Sequence, residues 1–98
     1  MKFELFFTPI AAQHFKELEN NPSKKRIYKE VCKALGYMET NLRHPSLNTH
    51  EFHSLRGSNN EKVYTAYAQQ NTPGAYRIFW HYGPGKNIIS IIGITLHP

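Results

Sequence analysis

Three β-rich segments follow one another along the C-terminal part of the chain, and this constrains the fold more than any other feature. They run from Lys62 to Gln70, from Ala75 to Tyr82 and from Asn87 to Thr95. Their connectors, Asn71-Thr72-Pro73-Gly74 and Gly83-Pro84-Gly85-Lys86, are built from residues that tolerate turn geometry. Links this short join antiparallel neighbours, because a parallel pair needs a crossover of about a dozen residues or more. The expectation is an antiparallel meander. Its last strand is nearly continuous in isoleucine and therefore central rather than an edge.

Side-chain alternation sorts the faces. In the middle strand Tyr76, Ile78 and Trp80 point one way, and Arg77, Phe79 and His81 point the other. In the strand before it, Val63, Thr65, Tyr67 and Gln69 share one face, while Tyr64, Ala66, Ala68 and Gln70 share the other. Which of these sets joins Arg77 depends on register, and a single sequence leaves it open.

Upstream, residues 2–7 read as a short strand. Thr8-Pro9 then starts a helix, with a capping hydroxyl and a proline where no amide bond is lost. Ala11, Ala12, Phe15 and Leu18 recur at helical spacing, and Asn20-Asn21-Pro22 ends the run. Ser23 is the expected cap of a second helix, in which Ile27, Val31, Leu35, Met38 and Leu42 form one apolar stripe. Gly36 weakens that helix by about 1 kcal/mol relative to alanine, so a close approach to another element is the expected reason for it. Residues 43–50 read as loop, Glu51 to Leu55 as a short strand and Gly57-Ser58-Asn59-Asn60 as a turn. The helical hairpin has one apolar side, and a sheet face is the large partner available to bury it. The fold class is therefore α+β: an N-terminal strand and a two-helix hairpin packed on a C-terminal antiparallel sheet. Residues 1–98 are expected to form a single domain.

Lys and Arg outnumber Asp and Glu by 12 to 7, a formal charge of +5 that favours nucleic acid, an anionic surface or an acidic partner. The single cysteine, Cys32, excludes an intrachain disulfide and reads as a buried helix residue. There is no secretory pattern, and the Asn87 to Leu96 stretch is too short to span a membrane as a helix. A cytoplasmic protein with no membrane partner is the expectation. His50 and His53 lack the spacing and the third ligand of a metal site, so no metal and no cofactor is expected.

The run Ala75-Tyr76-Arg77-Ile78-Phe79-Trp80, followed by a turn and an apolar strand that ends in His97, resembles the end of the RelE/ParE toxin superfamily. The helical hairpin leading through a loop into Phe52-His53-Ser54-Leu55 fits the same layout. The resemblance covers essentially the whole chain and implies the toxin half of a bacterial or archaeal toxin–antitoxin pair. A small cognate antitoxin would neutralise it. In the RelE-like branch the target is mRNA in the ribosomal decoding site; in the ParE-like branch it is DNA gyrase. Arg77 matches the family's sheet arginine, which contacts the scissile phosphate in RNA-cleaving members. His97 stands where the closing histidine or lysine would be, and Pro98 replaces the final basic residue. The basic cluster before the sheet is thin, with Arg56 and Lys62 as its candidates.

Metal-free RNA cleavage must deprotonate a 2′-hydroxyl, stabilise charge on the phosphate and protonate the leaving oxygen. Arginine suits the second task through its fork of donors, and histidine suits the other two near neutral pH. Arg77, His81 and His97 are thus the catalytic candidates. Tyr67, Tyr82, Lys62, Lys86, Arg56, Arg43, Lys24 and Lys25 are candidates for holding RNA, the tyrosines by stacking on bases. Each has a plain structural alternative. Arg77 could cover apolar surface with its stem, His81 could be a solvated strand-end residue, and His97 could fray with the terminus. Arg43 also suits the negative end of the preceding helix. The leading reading is a ribosome-dependent mRNA endonuclease that inhibits translation. The alternative is a binding protein of the same fold, either a gyrase inhibitor or an inactive antitoxin-binding module.

Overall fold

The computed structural model describes residues 2–70 and 74–96. His97 and Pro98, and residues 71–73 of the first meander connector, lie outside the described residues. The elements run β1 (Glu4–Phe7), α1 (Pro9–Glu19), α2 (Lys25–Thr40), β2 (His50–Arg56), β3 (Lys62–Tyr67), β4 (Tyr76–Tyr82) and β5 (Ile88–Leu96), with one-turn 3₁₀ segments at Pro22–Lys24 and Pro45–Leu47. The strands form one five-stranded sheet in the order β1-β5-β4-β3-β2. β3, β4 and β5 are the antiparallel meander that the connectors require. β1 adds to β5 in parallel, which leaves the isoleucine-rich strand flanked on both sides.

The two helices lie on one face of this sheet. Val31, Ala34, Leu35 and Met38 of α2 and Ala11 and Leu18 of α1 form a core with Tyr76, Ile78 and Trp80 of β4 and Ile89, Ile91 and Ile94 of β5. The alternation in β4 thus resolves as expected, with Trp80 at the centre of the sealed side. Tyr64 stacks on Trp80 with ring centroids 5.0 Å apart. A register shift between Phe79 and Trp80 in the β4–β5 ladder keeps the isoleucines on the helix side. None of the described helices is long and apolar enough to cross a membrane.

Local signals explain most element boundaries. Thr8 Oγ1 accepts from the Ala11 amide at 3.2 Å, and Pro9 occupies the first turn. Three details depart from the sequence reading. Ser23 does not cap α2; it lies in the 3₁₀ turn, where Asn21 Oδ1 accepts from both its amide and its hydroxyl, and α2 starts without a side-chain cap. Cys32 is half-buried rather than fully enclosed, since it sits beside the stripe and not within it. Gly36 makes no close approach: it is exposed, and a β-carbon built there meets nothing within 4 Å.

Gly36→Ala should therefore raise the unfolding free energy by about 0.5–1 kcal/mol, because only the backbone entropy of glycine is lost and no neighbour is disturbed. Met38→Ala, at a site with no exposure, should lower it by about 2–5 kcal/mol. Urea unfolding of both variants checks the pair. A neutral or destabilising Gly36→Ala would show that the helix surface around it is not open.

Candidate functional site

The β3–β4 register places Tyr67 opposite Arg77 and Thr65 opposite Phe79. The set Val63, Thr65, Tyr67 thus shares the face away from the helices with Arg77, Phe79 and His81. The Arg77 guanidinium carbon sits 3.6 Å from the centroid of the Tyr67 ring, well within cation–π range. Nη1 donates to the carbonyls of Ala75 and Tyr76 at 3.2 and 3.5 Å. Nε is buried and has no hydrogen-bond partner among the described residues. Stacking and the two backbone contacts orient the guanidinium, while part of its donor fork is left unused. A buried donor without an acceptor costs about 1–3 kcal/mol.

β2 brings a residue that the sequence reading had set aside. His50 pairs with Thr65, so it lies on the same face as Arg77. Its ring is 6.4 Å from that of Tyr67. His50 Nδ1 lies 2.7 Å from the Asn48 carbonyl. A carbonyl only accepts, so Nδ1 carries the proton and the lone pair of the neutral ring is on Nε2. On the other side of Arg77, Phe52, Leu55, Phe79, Ile92 and Thr95 line an apolar hollow of about 260 Å³, with Phe52 edge-on to Phe79. The face therefore offers a cation, a proton acceptor and a greasy shelf side by side. The sequence reading left His50 as the last residue of the 43–50 loop, whereas it opens β2; its partner strand and register could not be read.

His81 is on this face but is not brought to Arg77. Four residues along a strand separate them by about 13 Å. The turn that follows β2 also covers His81, which is only 6% exposed. Its Nδ1 lies 2.8 Å from the Tyr82 carbonyl. A β-carbon at Gly57 would displace the Glu61 carboxylate and press on the His81 ring. Hydrogen bonds from its own amide and from the Asn59 amide hold the Glu61 carboxyl below its usual range, and His81 adds to the effect.

The remaining candidates are dispersed. Lys62 and Arg56 are cross-strand partners at the opposite end of β3 from Tyr67. Lys86 is exposed in the β4–β5 turn and Lys25 is exposed at the start of α2. Lys24 donates to the Tyr76 hydroxyl at 2.9 Å. Tyr82 packs on Trp80 on the helix side, with Arg43 nearby across a cleft. His53 pairs with Glu51 at 3.3 Å, and among the described residues no three His, Cys, Asp or Glu side chains converge.

No family model matches the chain, and no curated protein matches it. Solved structures do. A YoeB/ParE toxin from Agrobacterium tumefaciens superposes with a TM-score of 0.69 at 8% identity, covering 98% of this chain and 100% of that one. The YoeB dimer from Staphylococcus aureus gives 0.63 at 17% identity, with both chains fully covered. The archaeal RelE–RelB complex from Pyrococcus horikoshii OT3 gives 0.64 at 16% identity, covering 98% of this chain and 96% of that one. The chain thus has the RelE/ParE toxin fold.

Glu61 yields a pH test. Its folded pKa lies below its unfolded value, so its contribution is present above the usual carboxylate value of 4.5 and is lost as pH falls through the depressed folded value. The gap in urea midpoint between the wild type and Glu61→Gln should be wide at pH near 7 and close at about pH 3. A gap that does not change with pH would contradict the hydrogen-bonded carboxylate.

Proposed function

We propose that this chain is the toxin of a toxin–antitoxin pair and that it cleaves mRNA on the ribosome at the Arg77 face. The observation that carries this reading is the Arg77 guanidinium, stacked on Tyr67 on the face the helices do not cover. An RNA phosphate is the natural acceptor for such a fork, and charge builds on its oxygens in the transition state. The neutral His50 ring, with its lone pair on Nε2, is suited to take the 2′-hydroxyl proton as that oxygen attacks phosphorus. The 5′-oxygen then leaves with a proton from a general acid, for which His97 is the remaining candidate from the sequence. A cyclic phosphate and a 5′-hydroxyl end are the products. Tyr67 and the Phe52–Phe79 shelf suit the stacking of unpaired bases. His81, buried and distant from Arg77, takes no part in this scheme. The cognate antitoxin is the proposed partner, and the RelE–RelB and YoeB–YefM assemblies with the same fold support it.

Expression of the wild type should arrest growth and create new ribosome-dependent mRNA 5′ ends. Arg77→Ala should lower the cleavage rate by about 10²–10³. Arg77→Lys should recover only part of it, since the charge returns without the fork. His50→Ala should lower the rate by about 10². Growth arrest with intact mRNA and blocked gyrase would replace the nuclease reading by the inhibitor. Arrest unchanged in Arg77→Ala would remove the role given to that residue.

A further inference from the structure

A second concavity lies away from the Arg77 face. A cleft of about 710 Å³ opens on the helix side of the sheet, where the end of α2 and the following 3₁₀ turn face the far end of β4. Its size is within the usual range for small-molecule sites. Arg43, His44, Thr49, Trp80 and Tyr82 are in its walls, and no carboxylate is. Trp80 and Tyr82 point to the opposite side of the sheet from Arg77, so this is a separate place.

The wall chemistry has one character. Arg43 is exposed and takes part in neither of the ion pairs made by the described residues. The indole N–H of Trp80 is buried and has no hydrogen-bond partner among the described residues. Burial and Tyr64 push the Tyr82 phenol up, which keeps it a donor at neutral pH, while nearby Arg43 opposes that shift. His44 Nδ1 accepts from the Ser46 amide at 3.1 Å, so its proton is on Nε2. Every one of these groups donates, and one is a fixed cation.

The aromatic framework is equally specific. The Tyr82 ring is half exposed, and Trp80, Tyr64 and Phe3 hold it from the sides at 4.9, 5.8 and 6.2 Å. The C-terminal carbonyls of α2 oppose an anion here. Several are already engaged: Gly36 by the Thr40 hydroxyl, Tyr37 by the Asn41 amide and Asn41 by the His44 amide. Arg43 offsets the rest.

We infer that this cleft is a nucleotide-binding site. Arg43 takes the phosphate and the half-exposed Tyr82 ring carries the base, with Trp80 packed behind that ring. A free nucleoside monophosphate and one nucleotide of an RNA strand present the same chemistry. The inference does not rest on the Arg77 reading, since no residue is shared.

Trp80 is the only tryptophan in the chain, so its emission reports on this wall directly. The experiment titrates 5′-AMP, 5′-CMP, inorganic phosphate and a short single-stranded RNA into the full chain. Monophosphates should change the emission saturably, and inorganic phosphate at least about tenfold less tightly. Arg43→Gln, at an exposed position that leaves folding intact, should weaken the binding by about tenfold or more; Arg77→Ala should leave it unaltered. An RNA strand that binds about tenfold tighter than the monophosphates identifies the strand as the source, and equal binding identifies the free nucleotide. Emission that does not respond up to about 10 mM nucleotide, or a response that Arg43→Gln leaves intact, overturns the site.

Discussion

The contact between Tyr67 and Arg77 depends on one number, the offset between β3 and β4. A slip of a single residue would send Tyr67 to the helix side and leave Arg77 opposite an alanine. With the observed pairing, a flat aromatic ring lies under a flat guanidinium at 3.6 Å. That stack is worth roughly 0.5–2 kcal/mol depending on solvation. Its greater effect is to fix direction. The guanidinium is held by a face and by two backbone carbonyls, and its Nε has no hydrogen-bond partner among the described residues.

The other side of the sheet makes this possible. The apolar stripe of α2 and the Ala11 and Leu18 positions of α1 cover Ile78, Trp80, Ile89, Ile91 and Ile94 in one packed core. Core packing keeps the strands in register, and the opposite face is free to carry polar groups such as Arg77 and His50. The same asymmetry accounts for the cleft at the end of α2. There the helix stops before the sheet does, and Tyr82 extends past the cover.

Much of this was legible in the chain. Turn-rich connectors force antiparallel neighbours, the alternation in Tyr76-Arg77-Ile78-Phe79-Trp80 separates the sides, and the isoleucine run marks an inner strand. What could not be read is whatever depends on a partner strand. The placement of His50 beside Tyr67 follows from the β2–β3 pairing, which leaves no trace in either segment alone. His81 read as a catalytic candidate or a solvated strand end because the turn that buries it, from Gly57 to Glu61, is far away in sequence and carries no apolar signal. Gly36 misled for the opposite reason. A glycine in a helix invites an explanation by contact, and here the surface around it is empty.

The most direct measurement is the side-chain NMR signal of the Arg77 Nε–H, read in the free protein and with a short single-stranded RNA. Ring current from Tyr67 should shift it upfield in the free protein, and Tyr67→Leu should remove that shift. RNA should then move it again as phosphate pairs with the guanidinium. A signal that Tyr67→Leu leaves in place, or that RNA does not move, would contradict a guanidinium displayed on the open face with its donors in reserve.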